Sequence, residues 1–591
     1  MKFTRNIGLA LLLFVGSALC GQSNAIGQRI SYGLNVIQDS AGIPVKKLNQ
    51  IFKPKESYPD STLVLQAIGT LIDELRFRGY AQASIDSLHW KDGIGTAYLH
   101  TGLPLVFKEI SAGNVPNEVL RRSGFKNRLY FGKNFRPIRL VALKQKLIKY
   151  YEDRGFPFAE VQLTDMKLLN DSISASLFLD AHQEFRIDSI VVKGKSKIKA
   201  NYLKNYLGIK TKDRYNESKI GLISTRLREI PFVNEANKPQ VVFNEGKASI
   251  YVFLDRKRAS QFDGILGILP DNENPGEVLI TGEIQLKLLS AFNRGELIDI
   301  SWRKMQARTQ NLNIQLSYPF LFNTPFGLDG TFELYKRDSL FLTLKGIIGI
   351  QYHLVGNDYI KVFADIRSTD ILARSLLQSS QYLRPDNVDS RTQLYGFGYR
   401  MQRLDYRLNP RKGFDLYVEA SAGTKKILFD SEIGEERYYG LQENSFQLNA
   451  TLNAAYFIPI PNRSTLKIGV KGGMIQNTNL FESEMFRIGG LKSLRGFDEE
   501  SIFANLYAVG TIEYRFLLNL DSYIFIFADG AYYENRAINR RITDRPIGFG
   551  LGISFSTKIG VFSLTYALGK QFGNPIDARA GKIHFGITSF F

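Results

Sequence analysis

Ile280-Thr281-Gly282-Glu283-Ile284-Gln285-Leu286-Lys287-Leu288 alternates without a break, with Ile280, Gly282, Ile284, Leu286 and Leu288 on one side of an extended chain and Thr281, Glu283, Gln285 and Lys287 on the other. A period of two marks a strand with one apolar and one polar face. Ile360, Val362, Ala364 and Ile366 repeat the pattern against Lys361, Asp365 and Arg367, with Phe363 as the one apolar residue on the polar side. From Phe262 to the end, sixteen strand candidates begin near residues 262, 277, 295, 309, 326, 342, 358, 392, 413, 445, 464, 504, 522, 545, 561 and 582. Segments of about ten residues, apolar toward lipid and polar toward a lumen, are the pattern of transmembrane barrel strands.

The connections test this independently. Outer-membrane barrels have short turns on the periplasmic side and longer loops outside. If the first strand crosses outward, the even-to-odd connections face the periplasm, and Asn323-Thr324-Pro325, Pro461-Asn462-Arg463 and Leu520-Asp521 are all tight. The long connections, near 371–391, 428–444 and 478–503, all join odd to even strands. A soluble β-sandwich supplies no reason for that parity. Closure is also required, because an open sheet edge in lipid would leave backbone groups unsatisfied.

Upstream of the barrel the texture differs. Leu71-Ile72-(x5)-Arg78-Gly79-Tyr80-(x2)-Ala83-(x)-Ile85 returns 76 residues later as Leu147-Ile148-(x5)-Arg154-Gly155-Phe156-(x2)-Ala159-(x)-Val161, and one further step lands on Phe232 in Ile230-Pro231-Phe232-Val233. Each unit reads strand, helix, helix, strand, strand. In the third, Ile187, Ile190 and Val192 lead into Gly194, and Ile220, Ile223 and Leu227 stand at helical spacing. In the first, Ile30, Tyr32, Leu34 and Val36 supply the opening strand. The predicted organisation is a signal segment over 1–25, α/β modules over 27–104, 105–185 and 186–257, and an all-β barrel over 260–591.

The signal segment is read from Lys2 and Arg5, the apolar run Ile7–Leu19 and the small residues Ser23-Asn24-Ala25. That run is too short to cross a bilayer as a helix, which needs about 20 apolar residues. Cys20 is the single cysteine of the 591 residues, so no disulfide can form within the chain. Bulky Leu19 precedes it where a lipidation signal has a small residue, so the mature protein is expected to lack cysteine. Removing Lys2 and Arg5 lowers the formal net charge from +19 to +17. The basic residues are interspersed with acids and accompany no nucleic-acid-binding motif, so solvated faces and anionic lipid explain them better than nucleic acid does.

No site for catalysis or cofactor is legible. His89, His100, His182, His353 and His584 are scattered without metal-ligand spacing, and no nucleophile and base set accompanies them. The chain is therefore expected to be neither an enzyme nor a metal or cofactor binder.

One stretch stands apart, Phe486-Arg487-Ile488-Gly489-Gly490-Leu491-Lys492-Ser493-Leu494-Arg495-Gly496-Phe497, between strands eleven and twelve. Its glycines permit positive-φ turns that let a loop double back. With Asp405-(x4)-Pro410-(x2)-Gly413 before strand nine and Gly510-(x2)-Glu513-(x)-Arg515-Phe516 on strand twelve, it resembles the BamA/TamA outer-membrane assembly superfamily. The strand-helix-helix-strand-strand units resemble POTRA domains, which bind extended polypeptide at a sheet edge. Three modules resemble TamA-like members more than two-module secretion transporters or five-module BamA.

The resemblance implies an outer-membrane location with periplasmic POTRA modules and a sixteen-stranded barrel. It also implies that the sixth loop folds into the lumen, where Arg495-Gly496-Phe497 forms a latch to Glu513 and Asp529. The family has glycine two residues after that aspartate, where this chain has Ala531, with Gly530 one residue earlier. The last strand, Ile583–Phe591, resembles the C-terminal signal of such barrels, with Phe585, Ile587 and Phe591 toward lipid and Ser589 where a bulky residue is usual. Gly264 and Gly267 in the first strand, with Pro270 after them, and Gly586 in the last would weaken the seam between them, with Phe591 at its end. The implied partners are outer-membrane lipid, unfolded outer-membrane or secreted client polypeptides, and a periplasmic or inner-membrane protein. The implied function is outer-membrane protein assembly or polypeptide translocation. The rivals are a two-partner-type transporter with one dedicated client and a passive porin or receptor, against which the periplasmic repeats count.

Overall fold

The computed structural model describes residues 32–38, 43–169, 171–270, 278–306, 309–372, 386–406, 409–430, 434–557, 560–576, 579 and 581–590. The signal segment with Cys20, together with Ile30 and Phe591, lies outside them. The chain forms two compact units, one of residues up to 150 with 159–181, the other of 151–158 with 182–591.

The first unit holds two modules of one design. In the first module, strand Gly33–Gln38 pairs in parallel with Ile94–His100, which pairs antiparallel with Ser84–Lys91, and helices Val45–Ile51 and Ser61–Phe77 connect them. The longer helix starts at Asp60, whose carboxylate accepts the Thr62 N–H at 3.1 Å and so satisfies one of the orphan donors of the first turn. It buries Val64, Ile68, Leu71 and Leu75, one stripe at helical spacing. The repeated Arg-Gly-aromatic signature marks its end. Gly79 has φ +101°, a conformation that costs side-chain-bearing residues far more, and Tyr80 and Ala83 then turn into the core. The second module repeats the order with strands Val106–Ser111, Glu160–Leu169 and Ser172–Asp180 and helices Asn117–Ser123 and Pro137–Glu152.

The second unit joins a third module to the barrel. Strands Arg186–Lys193, Val233–Asn244 and Lys247–Arg256 form the sheet, and helices Ala200–Leu207, Glu217–Gly221 and Ile223–Glu229 cover it. Leu203, Ile223, Ile250, Val252 and Leu254 are almost wholly buried in its core.

Sixteen antiparallel strands close the barrel. Numbered in order, they are Gln261–Pro270, Val278–Leu289, Leu297–Gln306, Thr309–Tyr318, Phe326–Arg337, Phe341–His353, Tyr359–Ile371, Ser390–Leu404, Gly413–Ile427, Asn444–Ile460, Ser464–Gln476, Leu506–Leu517, Tyr523–Ala537, a fourteenth in two pieces (Arg540–Asp544 and Ile547–Ser556), Val561–Lys570 and Lys582–Phe590. The break in strand 14 falls at Arg545-Pro546, where proline has no N–H for the ladder. Apolar side chains such as Ile348, Val362, Phe397, Ile512, Ile526, Leu551 and Phe585 are exposed on the outer face. That face is the surface a lipid bilayer would cover. Phe363, the exception to the alternation, faces inward: its ring lies over Gly396, with the Lys361 ammonium 5.0 Å from its centroid.

The third module rests on the even-to-odd turns. Gly356 N–H donates to the Tyr206 carbonyl at 2.7 Å, the Asn205 amide donates to the Asn323 carbonyl at 3.1 Å, and Tyr202 packs edge-on against Phe320. The turns after strands 4 and 6 therefore lie on the module side, and the longest loop, between strands 11 and 12, lies on the other.

Candidate functional site

The loop between strands 11 and 12 folds as a small unit of its own. Phe486–Ile488 and Ile502–Ala504 pair antiparallel, and Ile488, Leu494, Phe497 and Ile502 pack with Val509 of strand 12 and Tyr533 of strand 13. This apolar core holds Arg495 at a fixed place.

The Arg495 side chain reaches both carboxylates. Its Nε and Nη2 donate to Asp529 Oδ2 and Oδ1, each at 2.7 Å, the two-bond fork for which a planar guanidinium is suited. Nη1 donates to Glu513 Oε2 at 2.5 Å, and the backbone N–H adds a bond to Asp529 at 3.2 Å. Relative exposures are 8% for Arg495, 3% for Glu513 and 1% for Asp529, so each charge depends on its partners.

Around this core stand Phe527, Thr511, Lys467 and Asn409, which no motif singled out, and Arg515, which belongs to the strand-twelve motif. The Phe527 ring lies 3.5 Å from the Arg495 guanidinium carbon, a cation–π platform. Thr511 Oγ1 donates to Asp529 at 2.8 Å. Arg515 Nε donates to Glu513 at 2.7 Å, and Arg515 Nη1 to Asn409 at 3.2 Å. Lys467 of strand 11 stands directly opposite Glu513. Asn409 belongs to the Asp405–Gly413 turn, which is tied by Asp405 accepting the N–H groups of Arg411 and Lys412. That motif thus supports Arg515, which in turn supports Glu513.

Strand 14 supplies the floor. Its inward positions are Gly548, Gly550 and Gly552, and a Cβ on the latter two would run into Phe527 and Phe525 at 3.0 and 2.4 Å. At Gly548 a Cβ would lie 1.9 Å from the Arg495 carbonyl oxygen, far inside van der Waals contact. Gly548→Ala is therefore expected to unseat the loop tip while leaving every charge in place. Trypsin added to proteoliposomes should cleave the variant at Arg495 and spare the parent; equal protection would show that the tip adapts.

A second anchorage lies at the start of the loop. Lys425 of strand 9 and Glu484 are 0% and 1% exposed at their side chains and meet at 2.6 Å. Lys425 also donates to the Asn479 carbonyl at 2.7 Å, and its ammonium lies 4.5 Å from the Phe481 ring centre. Arg337 of strand 5 pairs with Glu482, and Arg487 with Glu333 of strand 5 at 3.1 Å. Past the tip, Glu500 pairs with Arg303 of strand 3 at 3.1 Å and Asp498 with Lys582 of strand 16 at 2.7 Å. The loop thus touches strands on both sides of the barrel's closure.

That closure is thin. Strand 1 pairs with strand 2 over all of Gln261–Pro270, whereas among the described residues it pairs with strand 16 at Gln261/Phe590 and Phe262/Ser589, with the Ser589 N–H also donating to the Asp263 carboxylate at 3.3 Å. Gly264 and Gly267 lie in strand 1 and Gly586 in strand 16, beyond those two positions, and no atom lies within 4 Å of a Cβ built on Gly586.

Periplasmic α/β modules, a sixteen-stranded barrel and a long loop sealed into its lumen define a modular outer-membrane barrel protein. The chain belongs to the Omp85 superfamily: the Omp85 superfamily domain matches residues 291–591, and the POTRA family, a surface antigen variable number repeat, matches residues 185–255. Its barrel lies in the outer membrane and its modules in the periplasm. Among solved structures, CdiB from Escherichia coli is 13% identical with a TM-score of 0.50, over 90% of this chain and 98% of that one. CdiB from Acinetobacter baumannii is 15% identical with a TM-score of 0.49, over 82% and 90%. BamA from Haemophilus ducreyi lacking POTRA domains 1-3 is 15% identical with a TM-score of 0.42, over 82% and 100%. No curated protein matches the chain.

Proposed function

We propose that the protein passes unfolded polypeptide into or across the outer membrane, with the POTRA modules receiving the client and the seam between strands 1 and 16 admitting it. Superfamily membership supports the class, and the observation that carries the mechanism is the short ladder between those strands, two positions among the described residues. Every unpaired N–H or C=O facing hydrocarbon costs several kcal/mol, so a short ladder is the place where the wall opens most cheaply and where an incoming strand gains most by pairing. Gly264, Gly267 and Gly586 add to this, since glycine weakens a strand and leaves no side chain to pack. Arg495, Gly496, Phe497, Glu513 and Asp529 act in this reading as the latch that keeps the loop in the lumen, and Asp498 and Glu500 hold it to both sides of the seam. The clients are outer-membrane or secreted polypeptides, and the periplasmic modules are the place for a partner protein. The three modules favour a TamA-like assembly role; a two-partner-type transporter with one dedicated client is the second reading.

Depletion followed by outer-membrane proteomics separates the readings. Loss of many barrels is expected for an assembly factor, loss of one surface protein would mean a dedicated exporter, and an unchanged proteome with altered solute uptake would overturn both. The seam has its own test. Cysteines at Phe262 and Ser589, which face each other across it, are expected to abolish activity when oxidised and to restore it on reduction. Full activity of the crosslinked protein would rule out opening at this seam.

A further inference from the structure

The outer end of strands 13–15 carries a basic arc on the lipid side that the transport reading does not use. Strand 13 pairs with strand 12 without a bulge from Leu517/Tyr523 to Leu506/Glu534, so its even positions keep one face throughout. Ile524 and Ile526 of that face are exposed on the outer surface, and Tyr532, Glu534 and Arg536 continue it upward. Arg541 stands directly opposite Arg536, and Thr543 opposite Glu534. Arg545 sits over the outward Tyr532 ring, 6.0 Å from its centroid. Lys570 of strand 15 stands opposite Ile547, which is itself 51% exposed on the outer face. Arg536, Arg541, Arg545 and Lys570 therefore follow one another along the outward face at the outer end of strands 13–15, beside the Tyr532 ring and above the apolar belt.

Two features make the cluster unusual. Like charges directly opposite on paired strands destabilise a sheet, yet Arg536 faces Arg541. Compensation is also scarce. Glu534 pairs with Arg536 at 2.6 Å, but among the described residues Arg541, Arg545 and Lys570 have no ion pair. Elsewhere on the outer rim Arg391 pairs with Asp370 and Lys426 with Glu443. Asp544, adjacent in sequence, is on the other face with inward Tyr533 and accepts from the Phe572 N–H.

We infer that Arg536, Arg541, Arg545 and Lys570 bind the phosphate groups of a phosphorylated lipid in the outer leaflet. Guanidinium groups match phosphate oxygens two at a time, and basic side chains at headgroup height attract anionic lipid. The bound phosphate offsets the Arg536–Arg541 repulsion, which fixes the outer end of strands 13 and 14 next to the loop latch and leaves the seam side free.

Native mass spectrometry of the full chain in detergent tests this, with lipid A bearing two phosphates, its dephosphorylated form and inorganic phosphate as probes. The parent is expected to retain the bisphosphorylated lipid at least tenfold better than the dephosphorylated one. The R541Q/R545Q/K570Q variant, with unchanged heat-dependent gel mobility, should lose that preference. Equal retention by parent and variant, or displacement of the lipid by inorganic phosphate, would overturn the assignment. R541Q alone gives a second measure that survives misfolding of the triple variant. It should unfold at a higher temperature than the parent in phosphate-free detergent and gain less from added lipid A; a lower temperature without lipid would overturn the repulsion on which the inference rests.

Discussion

Arg495→Ala is expected to leave the protein in the membrane while abolishing its activity and lowering the temperature at which the barrel unfolds on a gel. Removing the guanidinium leaves Asp529 with Thr511 as its remaining side-chain donor, and Glu513 with Arg515. Breaking a buried ion pair from one side costs about 3–5 kcal/mol, because an uncompensated charge is left in low dielectric. Arg495→Lys should rescue little, since an ammonium cannot span Asp529 with two parallel bonds while also reaching Glu513. Arg495→Ala combined with Asp529→Asn and Glu513→Gln should recover thermal stability without recovering activity. That separation identifies the latch as functional, whereas wild-type activity in Arg495→Ala would refute it.

Lys425→Met carries the second large expected effect, at the other end of the same loop. Glu484 keeps a weak bond from Ser390 at 3.5 Å and the Phe481 N–H at 3.3 Å, too little for a carboxylate that is almost fully buried. A loss of about 3–5 kcal/mol is again expected for an unpaired buried charge, and Lys425→Met with Glu484→Gln should return most of it. A double-mutant cycle on the thermal transition reads the coupling directly; a coupling energy near zero would mean that the pair is dispensable. The two anchorages also differ in kind. Lys425–Glu484 involves no family motif, so its loss is expected to reduce stability more than transport.

Much of this was legible along the chain. A strand's period of two is written into consecutive residues, so the predicted strand starts agree with the observed ones almost throughout, and the parity of loop lengths assigned the two ends correctly. The Arg-Gly-aromatic repeat, legible as the period of a module, falls at a helix end in the structure, because the positive φ after the helix selects glycine. The contact of Arg495 with Glu513 and Asp529 is legible as well, but through resemblance of motifs, with Glu513 placed inward by alternation. Alternation predicts a single strand 14 from 545, whereas the strand begins at Arg540 and is broken at Arg545-Pro546.

The features legible along the chain are therefore periodic ones: the strand-helix-helix-strand-strand order of a module, the number of barrel strands, the apolar face of strands 2, 7, 12 and 16, and which loop is long enough to fold inward. Which inward residues meet is settled only by the closed barrel. Asn409 reaches Arg515 from 106 positions away, Lys425 reaches Glu484 from 59, and Gly548 admits the Arg495 carbonyl from a strand whose own sequence gives no sign of a guest. Alternation assigns a side chain to the lumen, but the closing of the barrel sets its depth and partner. A buried charge is tolerated only where that closure brings an opposite charge within hydrogen-bonding distance.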